Sequence, residues 1–224
     1  MPENARNAIL QRLQRAERNK AMPRPDLPPL RELSLDAGQL KAQFMTRFEQ
    51  QDGIGYEVPD REALYDRLAD IFEAEAITRA MTGEDAVLST LDLDQWGERS
   101  KVEILHPTAY TDRRAYTRAI FDEVQAGITG ATFAVAESGT IITAHDRSQA
   151  RLVSLAPLVH IVVVPVAHII ATYEIAMEAL FADGRRPSQV TFITGPSMTA
   201  DIQATMFKGM HGPQKIYAIL MDLL

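Results

Sequence analysis

The sequence contains no cysteine among its 224 residues. A chain without thiols forms no disulfide bond and has no thiolate nucleophile. It also cannot bind an iron–sulfur cluster or a zinc ion through cysteine ligands. These kinds of site are therefore excluded within this chain.

Basic residues are also in short supply, because 23 Lys and Arg stand against 30 Asp and Glu, a formal net charge of −7. A nucleic-acid-binding surface needs clustered basic residues, so this composition argues against a nucleic-acid partner. Residues 1–33 differ from the rest, since they hold seven basic and four acidic side chains. They combine an amphipathic helix pattern over residues 5–20 with the proline-rich stretch PRPDLPPL. We expect residues 1–33 to form a basic helix and linker, and residues 34–224 to form the main domain.

The sequence pattern shows neither a signal peptide nor a membrane span. Residues 1–20 are polar and lack the apolar core of a signal peptide, which predicts a cytoplasmic location. Residues 152–173 carry no charge, but Pro157 and Pro165 interrupt them. We interpret this stretch as a strand that ends at Pro165 and a helix that follows, so no membrane span is expected.

Helix and strand patterns alternate along the chain. The periodicity predicts helices over residues 61–81, 113–126 and 170–180, and a further helix that Asp36 caps. Strands are predicted over residues 53–58, 86–91, 102–105, 133–136, 140–143, 159–164 and 190–193. The run VHIVVV at 159–164 is typical of a strand buried on both faces. This alternation predicts an α/β fold with a mainly parallel sheet and flanking helices, and ligands are expected at the carboxyl ends of the strands.

A polar loop follows the apolar strand that begins at Val190. Gly195 and Pro196 end that strand. Ser197 or Thr199 then caps a predicted helix that has Asp201 in its first turn, so that residues 190–220 make about one βαβ unit. Free N–H groups at such a turn bind anions, but the same residues are also ordinary helix caps. The pattern leaves these two interpretations even, and no dinucleotide or nucleoside-triphosphate motif accompanies it.

Two more polar residues lie in glycine-rich turns. Glu137 is in the turn ESGT at 137–140, where a carboxylate can act as a nucleophile or base, or can simply face water. His211 is in the turn GMHGP at 209–213, where a histidine can act as an acid, a base or a ligand, or can donate a structural hydrogen bond. The other histidines show no metal-ligand spacing, so we interpret them as structural or surface groups and expect no metal site. They are His106, His145, His160 and His168.

Three short segments together resemble the family of lactate utilization proteins that share the LUD domain. They are AESGT at 136–140, GPSMTADI at 195–202 and GMHGP at 209–213. In overall length and in its short N-terminal helix, the chain is similar to one branch of that family. The resemblance covers residues 36–222, and the combined segments are far more specific than any one of them.

This resemblance implies a fold like that of the sugar-phosphate isomerase and CoA-transferase superfamily. It also implies one component of a three-protein, iron–sulfur-dependent system that oxidises L-lactate to pyruvate. Because this chain has no cysteine, no cofactor is expected in it, and the iron–sulfur clusters are expected in partner subunits. The chain would then be a cluster-free accessory or ligand-binding subunit.

The candidate site residues come from the same three segments. Glu137 and His211 are the catalytic candidates, and the glycine-turn setting of Glu137 is similar to that of the catalytic glutamate of CoA transferases. A small ligand with a carboxylate or phosphate group is expected beside them. The candidate ligand-binding residues are Ser138, Gly139, Thr140, Gly195, Pro196, Ser197, Thr199, Asp201 and Gly212. Met198 and Gln203 replace the family's usual Arg and Glu, and the missing Arg removes a bidentate anion clamp.

Two alternatives stay open at this point. The chain can be a stand-alone enzyme of that superfamily, acting on an acyl, phosphosugar or folate-like substrate. It can also be an interaction module that docks through its basic N-terminal helix. One fold hosts many activities, so the fold by itself does not choose between them.

Overall fold

The computed structural model of the chain describes residues 3–15, 34–146, 149–182, 184, 186–200, 206–209 and 211–222. Its helices are α1 (Glu3–Arg15), α2 (Ala37–Gln50), α3 (Arg61–Ala74), α4 (Leu93–Ser100), α5 (Arg113–Arg118), α6 (Leu152–Leu155) and α7 (Tyr173–Phe181). Its strands are β1 (Ile54–Val58), β2 (Arg79–Thr82), β3 (Glu103–Leu105), β4 (Ala126–Gly130), β5 (Phe133–Val135), β6 (Thr140–His145), β7 (Val159–Pro165), β8 (Ile169–Ile170), β9 (Gln189–Ile193), β10 (Met198–Ala200), β11 (Met206–Lys208) and β12 (Lys215–Met221).

Six of these strands form a parallel sheet in the order β1-β12-β7-β4-β2-β3. A smaller sheet has the order β8-β5-β6-β9, in which β5 and β8 are parallel and the other pairs are antiparallel. Parallel neighbours need crossover connections, and the helices between the strands supply them. The prediction of an α/β fold around a mainly parallel sheet with flanking helices is confirmed.

Strand β7 lies in the middle of the six-stranded sheet, and all of its residues are buried. Ile161 and Val163 pack on one face in a cluster with α3 and α4. Val162 and Val164 pack on the other face against α2 and the four-stranded sheet. Each fully buried side chain of this size stabilises the fold by about 1.5–3 kcal/mol. The prediction that residues 159–164 form a strand buried on both faces is confirmed.

The helix predicted after Gly195 and Pro196 is wrong. Strand β10 begins at Met198 and pairs antiparallel with β11, so residues 198–200 and 206–208 are extended and not helical. The predicted βαβ unit is wrong for the same reason, because β9 belongs to the four-stranded sheet and β12 to the six-stranded sheet. Ser, Thr, Gly and Asp are common both at helix caps and at the ends of paired strands, so these residues alone did not distinguish a helix from a strand pair. Asp201 and Gln203 lie outside the described residues.

The helix predicted over residues 61–81 ends early. Helix α3 stops at Ala74, and Ala76 has a φ of 53°, which turns the chain out of the helix. Residues from Arg79 onwards belong to β2, between β3 and β4. The buried face predicted from the helical spacing is correct, since Leu64 and Leu68 are fully buried in α3.

Three other predicted elements differ from the structure, either in where they begin or end or in the type of secondary structure. The predicted strand over residues 86–91 is wrong, because Leu88–Thr90 is a short 3₁₀ turn. The helix predicted over residues 113–126 is shorter, since α5 passes into a π-helical turn at Ala119–Glu123 and Ala126 belongs to β4. The helix predicted from residue 170 begins at Tyr173. Strand pairing of β4 and β8 sets the last two boundaries, and local periodicity did not reveal it.

The chain divides into two compact units, Met1–Arg31 and Glu32–Leu224. Helix α1 belongs to the first unit, and the predicted proline-rich linker lies outside the described residues. In the second unit, Asp36 caps α2 as predicted and exchanges capping hydrogen bonds with Gln39. No helix in the described part of the chain has the length and apolar character that crossing a membrane requires.

Candidate functional site

The segment at 136–140 forms the turn between β5 and β6. The N–H of Gly139 donates to Val135 O at 2.9 Å, and Gly139 has a φ of 67°. This left-handed backbone favours glycine, because a side chain would collide with its own backbone there. The predicted glycine turn is confirmed, and it places Glu137, Ser138 and Thr140 at one end of the four-stranded sheet.

Four hydroxyl groups meet next to this turn and are called the hydroxyl cluster below: Ser138, Thr140, Tyr173 and Thr194. Thr140 Oγ1 lies 2.9 Å from Ser138 Oγ, 2.5 Å from Tyr173 Oη and 2.7 Å from Thr194 Oγ1. A hydroxyl group donates one hydrogen bond and accepts two, so these contacts use the whole capacity of the buried Thr140. Ser138 and Tyr173 are half-buried and Thr194 is exposed, so their hydroxyl groups have capacity left for a ligand.

Glu137 caps helix α7 from the neighbouring turn. Its Oε1 accepts a hydrogen bond from Tyr173 N at 3.1 Å. Thr172, the N-cap residue of α7, makes no side-chain capping bond, so the Glu137 carboxylate supplies one. A carboxylate at this position is also stabilised by the helix dipole. This contact is a structural reason for a carboxylate at Glu137, and a catalytic role for it stays a prediction.

The glycines of the first two segments pack on the C-terminal end of α2. A Cβ on Gly139 would lie 2.3 Å from Phe48 N, and a Cβ on Gly195 would lie 2.2 Å from Gln51 O. Gly195 also has a positive φ, at 81°. Both turns therefore need glycine for close backbone approach as well as for backbone conformation. Two of the segments that carry the family resemblance thus have a shared packing partner.

Backbone contacts join the second segment to the third. Ser197 N donates to Pro213 O, and Gly209 N donates to Ser197 O, both at 2.8 Å. A Cβ on Gly212 would lie 3.2 Å from Ser197 Cβ. His211 is exposed at the tip of this turn. Ser197 therefore links the described residues of the second segment to those of the third.

The structure brings some predicted site residues together and separates others. The contact between Thr140 and Thr194 joins the first segment to the residue that precedes the second segment. Glu137 and His211 lie at opposite ends of this series of contacts and do not hydrogen-bond to each other. Pro196 is buried and Thr199 is exposed on β10, whereas Asp201 lies outside the described residues. The ligand-binding and catalytic roles of these residues stay predictions.

A cavity of about 480 Å³ lies where the six-stranded and four-stranded sheets meet, and is called the junction cavity below. Its walls include residues from the loop after β2, the end of β4, both central strands of the smaller sheet and the last turn of α7. The lining includes Asp85, Gly130, Phe133, Ala144, Asp146, His168, Ala179, Leu180 and Arg186. Sequence reasoning missed this cavity, because its residues come from six parts of the chain and share no motif.

One local signal could have indicated part of the junction cavity. Asp85 follows β2 in the sequence TGED, and its carboxylate accepts hydrogen bonds from Val87 N, Leu88 N and Gly130 N at 2.9–3.1 Å. An Asp two residues before a turn often binds the backbone in this way. Because residues 86–91 were predicted to form a strand, the turn that follows Asp85 was not predicted. The Asp85 contacts join the loop after β2 to the carboxyl end of β4.

A second cavity, of about 400 Å³, lies at the carboxyl ends of β2 and β3. His106 Nε2 lies 2.8 Å from Asp94 Oδ1, and His106 Nδ1 lies 3.6 Å from Glu84 Oε1. The Thr108 hydroxyl donates to the same Glu84 carboxylate. The sequence indicated only a structural or surface role for His106, and these contacts are structural. In the described part of the chain, no group of three or more His, Cys, Asp or Glu side chains could hold a metal ion.

His160 is the most deeply buried ionisable residue near the centre of the six-stranded sheet. It is fully buried on β7, and its Nε2 lies 2.8 Å from Thr129 Oγ1. Burial lowers the pKa of His160 to about 3, with a smaller contribution from the nearby His145. Burial also lowers the pKa of His145, whose Nε2 lies 2.8 Å from Thr191 Oγ1. Both side chains are therefore neutral structural groups at neutral pH, as the sequence indicated.

Comparison with known proteins shows relatives along most of the chain. Lactate utilization protein C from Halalkalibacterium halodurans is 27% identical over 227 aligned residues, which cover 96% of this chain and 95% of that protein. Proteins of the same name from Deinococcus radiodurans and Bacillus subtilis are 35% and 36% identical over 49% and 45% of this chain. Those two alignments span about half of each relative, 52% and 44% of its length.

A crystal structure of a DUF162 family protein from Deinococcus radiodurans has the same fold. Its TM-score is 0.60 at 24% sequence identity, and the superposition covers 84% of this chain and 99% of that chain. The family model of the LUD domain matches residues 41–221, a range that contains all three segments described above. With the fold, the segments and this match in agreement, the chain belongs to the LUD domain family.

Proposed function

We propose that the chain acts in lactate utilization, as the cluster-free component of an iron–sulfur-dependent system that oxidises L-lactate to pyruvate. The proposal rests chiefly on its similarity, along nearly the whole chain, to Lactate utilization protein C of Halalkalibacterium halodurans. In this role the chain binds a small ligand and the redox centres belong to partner proteins.

The amino-acid composition supports this division of labour. Oxidation of lactate to pyruvate releases two electrons and two protons, which an acceptor has to take up. Iron–sulfur clusters are held by cysteine thiolates, and this chain has no cysteine. The electrons would therefore pass to clusters in the partner proteins, while this chain contributes binding and positioning.

The hydroxyl cluster is the part of the surface that best suits a small polar ligand. The hydroxyl groups of Ser138, Tyr173 and Thr194 surround the buried Thr140 and can each donate to a carboxylate oxygen or accept from a hydroxyl group. L-lactate carries both of these groups and pyruvate carries a carboxylate and a carbonyl. We place the ligand at this cluster, beside the Glu137 carboxylate.

Reconstitution with the partner iron–sulfur proteins tests the role in the system. L-lactate-dependent reduction of an artificial dye should fall to background when this chain is left out and should return when it is added. The Thr140→Val variant should lower the restored rate, because valine has the shape of threonine but cannot hold the three neighbouring hydroxyl groups. Thr117→Val, at an exposed threonine on α5, is the matched control and should restore the full rate.

Two results would contradict the proposal. One is a dye-reduction rate that does not depend on this chain. The other is turnover of an acyl, phosphosugar or folate-like substrate by the purified chain alone, which would favour the stand-alone enzyme. A Thr140→Val variant as active as the Thr117→Val control would contradict only the placement of the ligand at the hydroxyl cluster.

A further inference from the structure

We propose that the junction cavity is a second ligand site, and that it takes a small molecule with a flat, mainly apolar ring and one acidic group. This site is distinct from the hydroxyl cluster and does not depend on the role in lactate utilization. Its volume of about 480 Å³ falls in the range of small-molecule sites, which is about 300–1,000 Å³.

The cavity and the hydroxyl cluster lie at opposite ends of the same elements. Thr140 begins β6, and Ala144 on the same strand lines the cavity. Four residues of an extended strand span about 13 Å, so one small ligand does not occupy both places. Helix α7 also separates the two places. Tyr173 at its start belongs to the hydroxyl cluster, and Leu180 near its end lines the cavity.

The position of the cavity is typical of a ligand site in an α/β protein. It lies beyond the carboxyl end of β4, where Gly130 is among its lining residues, and beside the loop that follows β2. Ligands in such folds bind outside the carboxyl ends of parallel strands. The hydrogen bonds from Val87, Leu88 and Gly130 to Asp85 hold this edge of the sheet in place.

The walls of the cavity indicate a flat apolar body. The rings of Phe133 and His168 lie 6.2 Å apart between centroids and are tilted by 52°. Leu180 adds a buried aliphatic side chain, and Ala144 and Ala179 add small apolar side chains to the lining. Aromatic and aliphatic walls of this kind favour a planar apolar ring, which can make a large contact area with them.

The charged residues of the cavity indicate an acidic group on the ligand. The Asp85 carboxylate already accepts three backbone hydrogen bonds, and Asp146 accepts one from Gln149 N at 3.2 Å. Arg186, in contrast, makes no hydrogen bond or ion pair with any other residue that the structure describes. It is exposed, so it stands at the rim of the cavity where a bound ligand meets solvent. A carboxylate on the ligand would pair with this guanidinium.

Three probes with the same ring and different charges test the proposal on the full-length chain. They are 2-naphthoate, 2-naphthalenemethanol and 2-naphthylmethylamine, each measured by isothermal titration calorimetry. All three should bind saturably, and 2-naphthoate should bind about 2–5-fold more tightly than the alcohol, as one exposed ion pair provides. The amine should bind most weakly.

Two variants assign this binding to the cavity. Ala179→Phe fills part of the cavity and should weaken the binding of 2-naphthoate about tenfold or more. Ala182→Phe, just beyond the same helix and outside the lining, should leave the affinity for 2-naphthoate unchanged. Arg186→Gln should make the carboxylate and the alcohol bind equally, and it removes only an exposed side chain.

Several outcomes would overturn the proposal. Absence of saturable 2-naphthoate binding would do so, as would wild-type affinity in Ala179→Phe or a retained preference for the carboxylate in Arg186→Gln. If Ala179→Phe fails to fold, the Arg186→Gln comparison decides alone. Thr140→Val should leave 2-naphthoate affinity unchanged, and a large loss in that variant would place the probe at the hydroxyl cluster instead.

Discussion

At the scale of single residues, the glycines of the three segments have a packing explanation. Gly139 and Gly195 both have positive φ, and both would place a Cβ against the backbone at the end of α2. The sequence analysis named both glycines as candidate ligand-binding residues. In the structure they let the chain approach itself, which fixes the positions of Glu137 and of the hydroxyl cluster.

This packing predicts unequal effects of the same substitution at two glycines. Gly184 also has a positive φ, at 75°, but a Cβ there meets nothing within 4 Å. Gly184→Ala should therefore destabilise the fold by about 1 kcal/mol, from backbone conformation alone. Gly139→Ala adds a collision with the backbone of Arg47 and Phe48 and should destabilise by about 3 kcal/mol or more. Urea unfolding of both variants measures this difference, and equal losses would show that the close approach to α2 is unimportant.

At the scale of elements, β7 combines the strongest sequence signal with an unusual polar residue. Its apolar residues fill both faces of the six-stranded sheet, yet His160 lies among them, fully buried. The contact with Thr129 satisfies one ring nitrogen, and His160 Nδ1 has no partner within the described residues. A neutral imidazole tolerates this setting, whereas an imidazolium does not.

The buried His160 predicts that the protein is less stable in mild acid. Its pKa is about 3 in the folded protein and about 6.5 when unfolded, so below pH 6.5 the unfolded state binds a proton that the folded state does not. The free energy of unfolding should therefore fall by about 2 kcal/mol between pH 6.5 and 5 from this residue. His160→Gln should remove that part of the pH dependence, and His211→Gln, at an exposed histidine, should retain it. Urea unfolding at both pH values checks this, and an unchanged slope in His160→Gln would exclude His160 as the cause.

The elements also show how much the sequence could predict. Local signals found α2 through its Asp36 cap and β7 through its apolar run, and the helical spacing identified Leu64 and Leu68 as buried. Local signals failed where pairing with distant residues decides the structure. The end of α3 depends on where β2 pairs. Residues 198–200 pair with β11, although the Ser, Thr and Asp residues in and around them also suit a helix start.

The candidate sites divide in the same way. The segments at 136–140, 195–202 and 209–213 could be identified in the sequence, because each is continuous and contains glycine beside polar residues. The junction cavity could not, since Asp85, Phe133 and Arg186 come together only when the two sheets pack. Tyr173 and Thr194 joined the hydroxyl cluster for the same reason, as they reach Thr140 from α7 and from the end of β9.

At the scale of the whole molecule, the chain has two parts that differ in charge and that form separate compact units. Residues 1–33 carry seven basic and four acidic side chains, whereas the whole chain has a net charge of −7. The compact unit Glu32–Leu224 contains both sheets and the hydrophobic clusters that fill them. The stability of the α/β fold should therefore reside in this unit.

Deletion of residues 1–31 tests this division. The free energy of unfolding of the shortened chain, measured by urea unfolding, should lie within about 0.5 kcal/mol of that of the full chain, because the shortened chain retains the clusters that fill both faces of the six-stranded sheet. On the proposed function, it should bind the partner iron–sulfur proteins more weakly, since the deleted helix carries basic charge that attracts an acidic surface. Binding of the full chain should also weaken with added salt, because salt screens exposed charges beyond about 10 Å at 0.1 M.

The control for charge alone is the double variant Arg113→Gln and Arg114→Gln, which removes two exposed cations from α5 and leaves the N-terminal unit intact. If the N-terminal helix is the docking element, this variant should bind the partners as tightly as the unmodified chain while the deletion does not. Equal weakening in both would mean that net charge, and not a particular helix, attracts the partner. A deletion that assembles normally would remove residues 1–31 from the interface and leave docking to the Glu32–Leu224 unit.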